Sequence, residues 1–115
     1  MITNWTNFWK IEDNAMVHTD KADDITTFIA LDEKICWARE ADIVAMMFNP
    51  IRNVVFVVER YSIPEMDILE YDVDEYKIDD TECAYMQGTT IKFKREECAI
   101  MAATCLLCDD LIVKK

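Results

Sequence analysis

The chain has 115 residues, the size of a single domain, and 52% of them are hydrophobic, enough for a buried core. Its 23 acids outnumber its 12 Lys and Arg residues, which gives a net charge of −11. Gly88, Ser62 and His18 are the only residues of their types. Glycine-rich phosphate loops, serine triads and two-histidine zinc proteases are therefore excluded, and a non-enzymatic protein is expected.

The excess of acidic residues also restricts the classes of partner that this protein is expected to bind. Proteins that hold nucleic acid or anionic lipid do so through Lys and Arg, so a pI near 4.4 predicts neither direct nucleic-acid binding nor membrane docking. The longest apolar runs are far shorter than the roughly 20 residues of a membrane helix. The first ten residues lack the features of a signal peptide, so a cytoplasmic location is expected.

The cysteines predict no disulfide framework and no cofactor. They are odd in number, and we expect them to be reduced and mostly buried: Cys36, Cys83, Cys98, Cys105 and Cys108. Cys105 and Cys108 have CxxC spacing, but no second pair completes a zinc site. The pair also lies deep in a predicted helix, not at the N-terminal end where redox pairs are activated.

In the N-terminal half, a strand is predicted from about Phe8, turning at Asp13-Asn14 into residues 15–18. A second strand is predicted for Ile25 to Leu31, which is rich in Ile, Thr and Phe. Apolar residues between Trp37 and Phe48 follow a helical stripe, so a short central helix is predicted there, ended by the following Asn-Pro pair.

In the C-terminal half, Val54 to Val58 is a continuous β-branched run, typical of a central strand. Within Ile68 to Ile78, apolar and acidic side chains alternate from Leu69 to Asp74, which favours another strand. Cys83 to Met86 and Thr89 to Phe93 flank Gln87-Gly88 and predict a β-hairpin.

Residues 95–112 carry the strongest helix signal. The packing stripe predicted for this helix is Cys98, Met101, Cys105, Cys108 and Ile112, with Ala102, Leu106 and Leu111 beside it. Together these elements predict one α+β domain over residues 1–115. Its antiparallel sheet has about five or six strands, with the short central helix and with the long C-terminal helix packed on one face.

The charge is concentrated in residues 65–82, called here the acidic segment. It has nine acids and one base, a net charge of −8, which leaves −3 for the rest of the chain. A strand here would point Glu70, Asp72 and Asp74 to one face. The candidate partner-binding residues are Glu70, Asp72, Asp74, Glu75, Asp79 and Asp80. A calcium loop starting at Asp72 fails, because Lys77 and Cys83 stand where Gly and Glu are required, and no metal site is predicted.

Two interpretations of the acidic segment stay open. It is either a solvated sheet edge or a docking surface for a basic protein, including one that normally holds nucleic acid. The second interpretation predicts an acidic binding protein that inhibits or modulates its partner, by analogy with small inhibitors of viruses and mobile elements. The alternatives are a small carboxylate- or thiol-based enzyme or ligand-binding module, and a self-assembling structural protein.

The N-terminal aromatic residues Trp5, Phe8 and Trp9 also have two interpretations. Most aromatic side chains of a small domain belong to the core. Tryptophan is also enriched at binding hot spots, so the three residues are candidates for a homo-oligomer contact.

Overall fold

The computed structural model describes residues 8–13, 15–19, 29–30, 33, 42–78 and 84–112. The strands are β1 (Phe8–Glu12), β2 (Ala15–His18), β3 (Asp42–Asn49), β4 (Val54–Ile63), β5 (Ile68–Ile78) and β6 (Ala84–Phe93). Helix α1 covers Glu96–Ile112. The strands form one sheet in the order β2-β1-β3-β4-β5-β6, with α1 packed on one face, so the predicted α+β class and C-terminal helix are confirmed.

The sheet is mixed, so the prediction of a purely antiparallel sheet is wrong. Strand β1 runs parallel to β3, with Phe8 beside Met46, while the other neighbouring strands are antiparallel. Strand β2 runs antiparallel to β1, so the chain reverses direction twice between β1 and β3 and enters β3 in the same direction as β1.

The N-terminal hairpin is confirmed. Strands β1 and β2 pair with Glu12 opposite Ala15, and Asp13 takes a left-handed conformation with φ 52° at the turn. The strand predicted for Ile25 to Leu31 is wrong at Ile29 and Ala30, which are helical, and its other residues lie outside the described part of the chain.

The predicted central helix is wrong over residues 42–49, which form strand β3, and residues 37–41 lie outside the described part of the chain. Ile43 to Met47 are all buried, because β3 lies inside the sheet and has both faces covered. In a run that is apolar at almost every position, a helical stripe can be found by coincidence.

Asn49, the last residue of β3, holds the β3–β4 turn together. The side chain of buried Asn49 accepts hydrogen bonds from the backbone N–H groups of Ile51 and Arg52, at 3.1 and 3.4 Å. Asn53 closes the turn at φ 54°. The central strand predicted from Val54 is confirmed and extends to Ile63.

Strand β5 is confirmed, whereas the predicted C-terminal hairpin is wrong. Residues 84–93 form one continuous strand, β6, that passes through Gly88. The pairing shifts between Val73–Ile91 and Glu75–Gln87, so residues 88–90 lie opposite Asp74 alone. Gly88 therefore belongs to a bulge and not to a turn.

Both faces of the sheet are buried. On the helix face, buried Ala99, Ala103 and Leu107 of α1 pack on a cluster that includes Val54, Phe56, Val58 and Val73. On the far face, a second cluster contains Phe8, Ile43, Met46, Val55, Val57 and Tyr76. The packing stripe predicted for α1 is wrong, since Cys98, Met101 and Cys105 are exposed and Cys108 is half-buried.

Candidate functional site

Strand β5 divides the predicted binding residues between the two faces of the sheet. Asp74 lies opposite Val57 and Asp72 opposite Glu59, while Glu70 follows on the same side, so these three acids share the far face. Glu75 lies opposite Phe56, a residue of the helix-face core. Asp79 and Asp80 lie outside the described residues.

The alternation is therefore as predicted, but the far face of β5 is not a solvated one. Asp72 is 3% exposed and Asp74 is 1% exposed, and Glu59 of β4 is completely buried. We call Glu59, Asp72 and Asp74 the buried acidic cluster. A docked partner cannot touch these carboxyl groups in this conformation. Glu59 has no signal in the sequence as a site residue, because it is a single acid after an apolar run and lies outside the acidic segment.

Glu70 and Glu75 are the described members of the predicted set that reach solvent, and both are only partly exposed. Lys92 Nζ lies 3.1 Å from Glu70 Oε2 and pairs in register with Asp72, so a cation of β6 stands beside these two acids. Arg60 donates a 2.7 Å hydrogen bond to Asp42, which raises the pKa of Arg60. Arg60 and Lys92 are thus already engaged by carboxylates.

Among the described residues of the acidic segment, the most exposed lie at the connection between β4 and β5. Residues 62–69, called here the hairpin tip, contain a short 3-10 turn over Pro64–Met66. Asp67 ends this turn at φ 53° and donates its backbone N–H to the Pro64 carbonyl at 3.2 Å. Proline presets the turn, and Asp tolerates the left-handed conformation better than most residues.

The hairpin tip combines acids with exposed apolar side chains. Exposed Glu65 and Asp67 flank Met66, which is 66% exposed, and Leu69 is 50% exposed. Beside the tip, a groove of about 530 Å³ is lined by the start of β5, the end of β6 and the residue next to each: Asp67, Ile68, Leu69, Glu70, Lys92, Phe93 and Lys94. Sequence reasoning placed the acids here but missed the tip, for which the Pro-Glu-Met-Asp run is the local signal.

The N-terminal aromatic residues provide less evidence of a contact surface than the acidic segment does. Phe8 is completely buried in the far-face core, and Trp9 packs on the helix-face core with its ring edge-on to His18 at 5.2 Å. Trp5 lies outside the described residues.

Over the described residues, no three His, Cys, Asp or Glu side chains converge as a metal site. In the same part of the chain, no helix has the length and apolar character for a bilayer crossing.

Comparison of the chain with protein-family models, with curated proteins and with solved structures finds no match.

Proposed function

We propose that this protein is a non-enzymatic binding protein that engages a basic surface of a partner protein through the hairpin tip, and thereby inhibits or modulates the partner. The observation that carries the proposal is the exposure of Met66 and Leu69 beside the acids Glu65 and Asp67. Apolar side chains inside a polar rim are typical of protein–protein contact sites.

The charge of the whole chain supports the same partner chemistry. A net charge of −11 draws basic surfaces toward the protein over distances of about 8–10 Å at physiological salt, while the tip supplies short-range contacts. Partly exposed Glu70 lies next to the tip on β5 and adds to its acidic surface, and the acids of the segment continue in the sequence to Asp79 and Asp80. A partner that normally holds nucleic acid on its basic surface would lose access to that ligand while the tip occupies it.

The experiment first finds the partner and then measures the contact. A photo-crosslinking amino acid replaces Met66 in one sample and Ile51 in another, and both are irradiated in lysate of the native host. The two positions are similarly exposed, 66% and 64%, and lie in the connections at opposite ends of β4. We expect one basic protein to be crosslinked from position 66 and not from position 51.

The binding constant of the purified pair is then measured with two variants that make the same change in charge. The first carries Glu65→Lys and Asp67→Asn at the tip. The second carries Glu33→Lys and Asp13→Asn, both at exposed positions. Asp13 is matched to Asp67 of the tip, because the two aspartates have nearly the same φ, 52° and 53°. We expect the tip variant to weaken binding about tenfold or more and the control to change it less than about threefold. Equal effects, or an acidic partner, would contradict the proposal.

A further inference from the structure

Helix α1 is apolar on the side that faces solvent as well as on the side that faces the sheet. Ala99, Ala103 and Leu107 are buried against the sheet, whereas Met101 is 67% exposed and lies between exposed Cys98 and Cys105. A surface helix of a monomer normally carries charged residues at these positions. This outer row of apolar residues has no covering element among the described residues.

The spacing of the outer row is that of a helix-pairing seam. Its members are separated by alternating steps of three and four residues: Cys98, Met101, Cys105, Cys108 and, by position, Ile112. This is the a and d spacing of heptad repeats, in which apolar side chains of one helix pack into the spaces between those of a second helix. We call these five residues the outer seam.

We propose that the outer seam is the contact surface for a second copy of this chain, whose own α1 packs on it antiparallel about a two-fold axis. A two-fold axis brings identical surfaces together, so one seam supplies both sides of the contact. The helix is already ordered by its packing on the sheet, so pairing adds little further entropy cost for backbone ordering.

The charges at the two ends of α1 favour the antiparallel direction. Arg95 accepts the Ala99 N–H at 3.2 Å through its carbonyl, so the helical register extends back to it. Asp109 stands fourteen residues later, at the same heptad position. When Cys98 of one copy meets Cys108 of the other, position 95 of the first helix is matched with position 109 of the second, which pairs a basic with an acidic residue type.

A parallel arrangement would instead place equivalent ends of the two helices together. The Asp109-Asp110 pairs would then lie at the same end of the dimer, where like charges repel. The Arg95 guanidinium is 76% exposed, and its 4.0 Å ion pair with exposed Glu97 is weak enough to exchange for a new partner.

Sedimentation of the full chain tests the surface. We expect a reversible dimer at about 100 µM, and Met101→Glu to weaken it tenfold or more because a carboxylate would be buried in the seam. Met66→Glu is the matched control, since Met66 is 66% exposed and Met101 67%. Near-ultraviolet circular dichroism of both variants shows that the fold is retained.

Two further measurements test the direction. A short bis-maleimide should join Cys98 of one copy to Cys108 of the other, as identified by peptide mapping, whereas a parallel dimer would join equivalent cysteines. Arg95→Glu and Asp109→Arg should each weaken the dimer, and the double variant should restore it.

A monomer at about 200 µM, links between equivalent cysteines, or a dimer weakened by Met66→Glu but not by Met101→Glu would overturn the proposal. Because the hairpin tip and the outer seam share no residue, failure of this proposal leaves the partner-binding experiment interpretable on its own.

Discussion

Glu59 and Asp72 lie directly opposite each other on the adjacent strands β4 and β5, and both side chains are buried on the far face of the sheet. Ile43 lies on one side of this pair and Lys92 on the other, in register on β3 and β6. Two acids that face each other across a strand pair are coupled electrostatically. The interaction between Glu59 and Asp72 therefore affects the stability of the sheet.

Truncation of the buried Glu59 side chain should lower the stability of the protein. Glu59→Ala removes a completely buried side chain beside Ile43 and Asp72, so we expect the free energy of unfolding to fall by about 2–3 kcal/mol. Glu65→Ala at the exposed tip should change it by less than about 0.5 kcal/mol. Urea denaturation measures both, and equal effects would contradict the buried position of Glu59.

Neutralising the two facing acids should give non-additive effects. In a double-mutant cycle with Glu59→Gln and Asp72→Asn, we expect an interaction free energy of at least about 0.5 kcal/mol, because the carboxyl groups are cross-strand neighbours. Glu59→Gln combined with Glu65→Gln is the control cycle and should be additive. Additivity in both cycles would show that the facing pair is not coupled.

The turn before β4 should depend on the left-handed conformation of Asn53, at φ 54°. Asn53→Gly should keep or slightly raise the midpoint of thermal unfolding, whereas Asn53→Val should lower stability by about 1–2 kcal/mol, since a β-branched residue is strained there. Calorimetry compares the two. A stable Asn53→Val variant would contradict the turn geometry.

The orientation of α1 can be tested by enlarging one residue on each side. Ala103→Leu overfills the buried side and should lower the free energy of unfolding by about 1–3 kcal/mol. Cys105→Leu, on the exposed side, should change it by less than about 0.5 kcal/mol at low protein concentration. A larger loss of stability from Cys105→Leu than from Ala103→Leu would mean that the stripe predicted from the sequence is the one that packs on the sheet.

Much of the sheet was predictable because its signals are local. Alternation identified β5, the β-branched run identified β4, and the Asp13-Asn14 pair marked the turn between β1 and β2. The helix predicted over β3 is wrong because an interior strand is apolar on both faces. Its side chains therefore show no alternation of apolar and polar residues by which a strand is recognised. Gly88 was read as a turn because a bulge and a turn use the same residue type.

The candidate site was predicted only in part. The acidic segment was visible from charge alone, but exposure of the hairpin tip and burial of Asp72 and Asp74 were not. A strand pattern shows which side chains share a face and not whether that face is covered. On α1, the predicted stripe and the row that is buried in the structure are both apolar, so the pattern of residues does not decide which of them contacts the sheet.

The net charge, its concentration in residues 65–82 and the period of β5 follow directly from the amino-acid order, because charge and alternation are properties of neighbouring residues. The far-face burial of Asp72 and Asp74, the pairing of Glu59 with Asp72 and the outward direction of Cys98, Met101 and Cys105 required the folded chain. Burial depends on residues distant in sequence, so two of the acids predicted to bind a partner lie inside the protein, and three helix residues predicted to pack on the sheet face solvent.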